Sequence, residues 1–410
     1  SGHPDGAAGL AGVGVEVALD TDGLAQLDGT RTVVKSPGVP RGAPVIAAAL
    51  ERGIDVVGEL ELAWRAIPNR FLAVTGTNGK TTTVELLGHV YRTAGEPAAV
   101  AGNVGIPLSA LATTIAPDAT VVCEASSFQL EDTVAFAPEC GVFLNLAPDH
   151  LDRHADLDSY LAAKLRIFAN QGNDDVAIYN ADEPSLAGAD LGGCGRRIAF
   201  CHGAAPDCEV VLAEGTIFYD EEPLLAVEEL GLFGEHNVAN AMAAATAALS
   251  MGLDRDGVRE GLRSFAGVPH RLEQVAEIDG IRFVNDSKAT NVASATVGLS
   301  AFDGGVHAIL GGSEKDEPFA PLVAPLRESC AACYLIGAAA DRLAGELSPV
   351  IAAGVELHRC DDLEDAVRSA AAAARSGEVV LLSPACASFD AYENFERRGD
   401  HFREIVGELA

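Results

Sequence analysis

Lysine is nearly missing from this chain. Of 410 residues only five are lysine (Lys35, Lys80, Lys164, Lys288 and Lys315), and the other 23 of the 28 basic residues are arginine. Arginine stays protonated, whereas a lysine amine can lose its proton and react. Each lysine that survives such a bias is a candidate for chemistry a guanidinium cannot do. Positive charge as a whole is also scarce: 28 basic against 60 acidic side chains leave a formal charge of −32. No basic field exists to attract phosphate backbones or anionic bilayers, which excludes nonspecific nucleic-acid and membrane-surface binding. Long apolar runs are lacking too; none approaches the roughly 20 residues of a membrane span, so no membrane insertion is expected. The opening stretch "SGHPDGAAGLAGVG" has no basic segment followed by an apolar run, so no secretory leader is expected there. Nine cysteines spread from Cys123 to Cys386. The one close pair, Cys330-Ala-Ala-Cys333, opens an apolar strand-like run and lacks the second pair of a zinc site. Buried reduced thiols and a cytoplasmic location are therefore expected.

What is present is a globular enzyme-sized composition, 48% hydrophobic and 21% charged. The length exceeds what one core usually supports, so two or three domains are expected. Strand-like runs alternate with helical patterns, which predicts an α/β fold of parallel units. Residues 1–69 hold the strands "RTVVK" and "IDVVGEL" around the helix "APVIAAALERG", with "AWRAIPNR" read as a linker. A central domain, 70–266, runs through the strands "RFLAVTG", "TVVCEA", "CGVFLNL" and "DVAIYN", antiparallel hairpins over 208–230 and an Ala-rich helical pair. A third, 267–410, follows "AGVPHR" with strands in "IRFVND", "VHAILGG", "CYLIG" and "EVVLLSP" and a closing helix from "AYENFERRGD".

"FLAVTGTNGKTTTVELLGHVYRTAG" reads as strand, Gly-rich turn and helix. Backbone N–H groups of such a turn at a helix N-terminus cradle phosphates, with Lys80 as a point charge and the Thr81 hydroxyl as a Mg²⁺ ligand. Gly76, Thr77, Asn78, Gly79 and Thr82 complete this loop. Glu124 ends the strand "TVVCE", at the edge where ligands gather in parallel sheets, and is either a carboxylate ligand for Mg²⁺ or an ordinary strand-end acid. Asp149, His150, Asp152 and His154 crowd the next loop, as metal ligands or as caps; spacing alone does not choose. Tyr160 and Lys164 share a helix face beside Leu161, Leu165 and Phe168. The lysine is either a desolvated amine with a lowered pKa or, as periodicity favours, a snorkelling side chain paired with a nearby acid. Three strand ends in the last domain, carrying Asp286, Lys288 and Thr290, then Gly311, Gly312 and Lys315, then Ser383 and Ser388, suggest one edge for an anionic small molecule.

The ordered stretches "GTNGKTT", "SSFQLE", "DHLDRH", "AAKLRIF", "GEHNVANAMAA", "PHRLE", "NDSKATN", "LGG…K" and "LLSPACAS" resemble the Mur ligases from about Ser36 to the C-terminus. The likeness is to the branch that adds D-glutamate to UDP-N-acetylmuramoyl-L-alanine during peptidoglycan precursor synthesis. It implies a Rossmann-like N-terminal domain, a P-loop ATPase-like central domain and a Rossmann-like C-terminal domain, for UDP-substrate, ATP and amino acid respectively. It further implies that ATP phosphorylates the substrate carboxylate and that the glutamate amine attacks the acyl phosphate through a tetrahedral intermediate. On this resemblance Lys80, Thr81 and Glu124 serve the phosphates and a first Mg²⁺, and His150 and Lys164 a second, with Lys164 converted by CO2 to a carbamate. Asn240, Arg271, Asp286 and Lys288 match residues around ATP. Thr290, Lys315, Ser388 and Phe395 match the glutamate pocket, Asn103, Ser126 and Gln129 the muramoyl-peptide site, and Ser36, Pro37 and Gly38 a uridine-nucleotide loop. A monomer is expected.

The family's first strand and Gly-rich turn do not precede "KSPG" here, so the first domain is expected to be truncated or reduced, with weakened UDP affinity. Sister ligases that add L-glutamate, a diamino acid or a folate polyglutamate tail are the nearest alternatives. The Asp-Asn-Pro-Arg motif of the diamino-acid branch is absent. A nucleotide-binding regulator without ligase activity is the alternative of another class, although a switch would not need a second substrate edge.

Overall fold

The computed structural model describes residues 10, 14–18, 21–103, 105–149, 153–203, 208–232, 235–314 and 317–409. Runs such as Phe71–Thr75 and Val379–Leu382 are buried at every position. Strands apolar on both sides can only be central parallel strands with helices over each face. Two compact units result, Ser1–Phe265 and Ala266–Ala410.

The first unit is built on a nine-stranded sheet. From one edge its order is Glu222–Ala226, Thr216–Tyr219, Val210–Ala213, Arg196–His202, Val176–Asn180, Cys140–Phe143, Phe71–Thr75, Thr120–Glu124 and Ala98–Gly102. The seven strands from Val210–Ala213 to Ala98–Gly102 are mutually parallel; Thr216–Tyr219 pairs antiparallel with Val210–Ala213 on one side and Glu222–Ala226 on the other. The helix Lys80–Thr93 packs on Glu235–Ser250 and Arg255–Ser264. A separate two-stranded parallel sheet, Thr32–Lys35 with Asp55–Gly58, has its own small core of Leu27, Ile46, Ala49 and Val56.

The second unit is a six-stranded sheet in the order Glu273–Ile278, Ile281–Asn285, Val379–Leu382, Val306–Gly311, Cys330–Ile336 and Glu356–Arg359. Only its first pair is antiparallel. The architecture is α/β with parallel-dominated sheets. No helix among the described residues is long and apolar enough to cross a membrane.

Three sequence expectations are corrected. "AWRA" is not linker but the last turn of the helix Glu59–Ala66, because Leu60, Glu61 and Ala63 are buried along one side of it. The closing helix starts at Phe395, capped by the Asn394 side chain on the Arg397 N–H, so residues 391–394 precede it. Seven cysteines are free, but Cys201 and Cys208 form a disulfide, since neighbouring strand ends bring their Cα atoms within 6.3 Å.

Candidate active site

The buried strand Phe71–Thr75 delivers the chain into the turn 76–79, and the helix Lys80–Thr93 departs from it. Gly79 caps that helix at φ 81°, and a Cβ there would lie 2.2 Å from Asn240 Oδ1. Only glycine fits a left-handed position so crowded. Asn240, itself buried, donates to Asn237 Oδ1 at 3.0 Å and so walls the loop from the side. Asn145, at the end of the neighbouring strand, accepts from the N–H of Thr77 and Asn78 and donates to the Asn78 carbonyl. Lys80 folds back over the turn, donating to the carbonyls of Gly76 (3.0 Å) and Thr77 (2.8 Å). Thr82 is buried on the helix's inner side.

Thr81 donates its hydroxyl to Glu124 Oε2 at 2.8 Å, and Asn103 Nδ2 reaches Oε1 at 2.9 Å. Parallel pairing of Thr120–Glu124 with Phe71–Thr75 sets Glu124 beside Val74 and hence beside the turn. The carboxylate is only 2% exposed. Ser126 caps the helix Ser127–Glu131, and Gln129 returns the capping bond.

Lys164 settles the choice that periodicity left open. It lies on the helix Leu157–Leu165, held at its start by Asp156 and Ser159, and is 1% exposed, so it does not snorkel. Its Nζ donates to the Gly76 carbonyl at 2.6 Å and sits 4.5 Å from the centre of the Tyr160 ring. Burial, then the Lys80 ammonium, push its pKa down to about 6, against the pull of Asp149 and Glu124. An amine so placed is mostly neutral at pH 7. His154, by contrast, is packed between Phe128 and Tyr160 with Nε2 at 3.0 Å from Ser127 Oγ, an interior histidine rather than a ligand. His150 and Asp152 lie outside the described residues. Ser36, Pro37 and Gly38 form a turn after the strand Thr32–Lys35, closed by Val39 N–H to the Ser36 carbonyl.

In the second unit, register places the ends of Ile281–Asn285, Val379–Leu382 and Val306–Gly311 side by side. Asp286 is buried there, accepting from Ser383 Oγ (2.8 Å) and the Leu272 N–H (3.2 Å). Burial raises its pKa to about 7 despite those bonds and the nearby Arg271 charge. Arg271 stands between two left-handed residues, His270 (φ 61°) and Leu272 (φ 44°). Lys288 Nζ is 5.9 Å from the Phe395 ring centre, Thr290 donates its N–H to the Lys288 carbonyl, and Ser388 is buried. Lys315 lies outside the described residues. Sequence reading missed Arg398, 1% exposed, which donates to Ser287 Oγ and to the carbonyls of Ser287, Gly311, Cys386 and Ala387. It thereby ties all three strand ends together. Its only sequence signal is an arginine on the inward face of an amphipathic helix.

Residues 74–248 match the Mur ligase middle domain and residues 270–386 the Mur ligase glutamate ligase domain. The chain belongs to the Mur ligase family. It is 41% identical over 402 residues to the UDP-N-acetylmuramoylalanine–D-glutamate ligase of Acidobacterium capsulatum, covering 96% of this chain and 86% of that one. It is 42% identical over 410 residues to the enzyme of the same name from Pelotomaculum thermopropionicum, covering 98% and 90%. Among solved structures, MurF ligase from Thermotoga maritima in complex with ADP aligns with a TM-score of 0.60 at 17% identity, covering 94% of this chain and 97% of that one.

A Mg²⁺ ion prefers hard oxygen donors, few of them from protein and the rest from phosphate and water. In this Mur ligase the Thr81 hydroxyl and Glu124 carboxylate, 2.8 Å apart beside the Gly-rich turn, suit that demand. Among the described residues no three His, Cys, Asp or Glu converge on a ready-made metal cage.

Proposed function

We propose that this chain is an ATP-dependent acid–amino-acid ligase that joins D-glutamate to UDP-N-acetylmuramoyl-L-alanine in the cytoplasm, acting as a monomer. The observation that carries the reading is a buried Lys164 held against a Gly-rich phosphate turn beside the Thr81–Glu124 pair, in a chain 41–42% identical to enzymes of that name.

The chemical difficulty is to bring a phosphoryl group and an anionic carboxylate together. Lys80 is assigned to the outer phosphates, and the backbone N–H groups of 76–81 to holding them. Thr81 and Glu124 would hold one Mg²⁺, and His150 with Lys164 a second; when bound, these ions offset the charge between the two anions. The substrate carboxylate attacks the γ-phosphorus of ATP and ADP leaves; the unprotonated glutamate amine attacks the acyl carbon, gives up a proton, and phosphate leaves as the amide forms.

Lys164 serves this scheme as a carbamate. Its neutral amine attacks CO2, forms an N–C bond and loses a proton, which turns the amine into an anionic oxygen ligand. Asn240, Arg271, Asp286 and Lys288 are assigned to ATP. Thr290, Lys315, Ser388 and Phe395 are assigned to glutamate, and Asn103, Ser126 and Gln129 to the muramoyl peptide. Ser36, Pro37 and Gly38 are assigned to the uridine nucleotide.

The test is phosphate release from ATP with UDP-N-acetylmuramoyl-L-alanine and each enantiomer of glutamate. Turnover with D-glutamate alone is expected. Turnover with L-glutamate or a diamino acid instead would replace the substrate assignment, and none with any amino acid would end the ligase reading.

A further inference from the structure

Lys35 is the one lysine for which no role in phosphate, metal or glutamate chemistry was assigned, and it is also among the most deeply buried side chains. Its Nζ lies 2.5 Å from Asp132 Oδ2, with the two side chains 0% and 1% exposed. The same ammonium donates to the Val39 carbonyl at 2.8 Å, across the Ser36–Val39 turn. Asp132 takes a second cation, Arg41 Nε at 3.1 Å, from just beyond that turn. Arg41 also donates to the Glu131 carbonyl. From the other side Arg153 donates to the carbonyls of Pro37 (3.1 Å), Gly38 (3.4 Å) and Val39 (3.2 Å), its guanidinium 4.7 Å from the Phe128 ring centre. Three cations thus gather around one exposed four-residue turn.

An isolated buried ion pair is weak evidence for stability, because desolvation offsets most of the attraction. Such a pair makes sense where it fixes geometry. Asp132 directly follows the helix Ser127–Glu131, whose opposite end is the Ser126–Gln129 capping box. Its backbone carbonyl also accepts from Gly58, at the end of the second strand of the small sheet. One short rigid helix therefore has the Ser36–Gly38 turn clamped at one end and Ser126 with Gln129 at the other.

We propose that Lys35, with Asp132, Arg41 and Arg153, is a positioning clasp that sets the uridine-binding turn at a fixed distance from the muramoyl-peptide residues, so that one sugar nucleotide spans both. This rests on the function proposed above. Lys35 touches no reacting atom; it acts through the turn. The clasp also supplies rigidity to a small sheet that, among the described residues, has two strands and a core of four buried side chains to hold the turn in place.

The test separates positioning from mere stability. Lys35→Met alone leaves the buried Asp132 carboxylate with only the half-exposed Arg41 as a cation and is expected to destabilise the fold. The double variant Lys35→Met/Asp132→Leu removes both charges, which in buried pairs is close to neutral for stability, yet takes the Lys35 bond away from the Val39 carbonyl and leaves it only the one from Arg153. It is expected to melt near the parent while KM for the sugar nucleotide rises about tenfold, with KM for ATP and glutamate and kcat within about twofold. Recovery of the parental sugar-nucleotide KM along with stability, or a common rise in all three KM values, overturns the proposal. Calorimetric titration with UDP needs no turnover. If the parent ligates no amino acid, weaker UDP binding by the double variant still supports the clasp and unchanged binding refutes it. Should the double variant fail to fold, Arg153→Ala, which leaves the buried pair intact, is expected to weaken UDP binding about tenfold; unchanged binding would overturn the clasp.

Discussion

At the scale of single residues, the depressed pKa of Lys164 has a direct consequence for rate. Carbamate formation consumes the neutral amine, which predominates only above about pH 6. Activity is therefore expected to fall as pH drops through about 6, and added bicarbonate is expected to lift the lower limb. Lys164→Ala is expected to lose activity, partly restored by a short carboxylic acid in place of the carbamate; full activity in Lys164→Arg would refute the role. Asp286 works in the opposite sense. Its folded pKa of about 7 exceeds the unfolded value near 3.8, so its contribution to stability is complete below the latter and is lost as pH rises through about 7. Asp286→Asn stays neutral throughout. Thermal melts should show the variant gaining on the parent between pH 5 and pH 8, and a constant difference would count against a buried protonated Asp286.

At the scale of elements, the strand–turn–helix around the phosphate turn was legible from spacing, since its glycines, lysine and threonines are neighbours along the chain. What closes it was not. Asn145 reaches the turn from a strand end, and nothing in its local sequence marks it; Asn240, which the family motif assigns to ATP, reaches it from a distant helix, a contact that spacing does not show. Gly79→Ala tests that closure. A left-handed alanine costs about 1–2 kcal/mol, and its Cβ would collide with Asn240. KM for ATP is expected to rise about tenfold or more, measured by steady-state kinetics, with secondary structure by circular dichroism unchanged. Local pattern splits the helix Glu59–Ala66, its first residues reading as the end of the strand "IDVVGEL" and its last turn as linker. What holds it is Glu61, whose buried carboxylate accepts from the N–H groups of Val134, Ala135 and Phe136, contacts no local pattern contains.

At the scale of the molecule, the charge of −32 is a self-repulsion spread over the whole surface. The Debye length shrinks from about 30 Å at 0.01 M salt to about 10 Å at 0.1 M. The melting temperature is therefore expected to rise by a few degrees as NaCl goes from about 0.01 M to about 0.5 M. A flat or falling profile would mean the acidic groups are locally neutralised by their arginine partners. Fold class was legible at this scale because alternating strand and helix signals with doubly buried strands admit few arrangements besides parallel α/β sheets.

The sequence by itself determined the α/β alternation, the phosphate turn and the family, because each depends on residues close together or on motifs in a fixed order. Only the tertiary structure decided the states of the rare lysines. Lys164 meets the Gly76 carbonyl across a separation of 88 residues, and Lys35 meets Asp132 across a comparable span of chain. Whether an amine is solvated, neutral or paired depends on what surrounds it in space, and helix periodicity reports a face without reporting its depth.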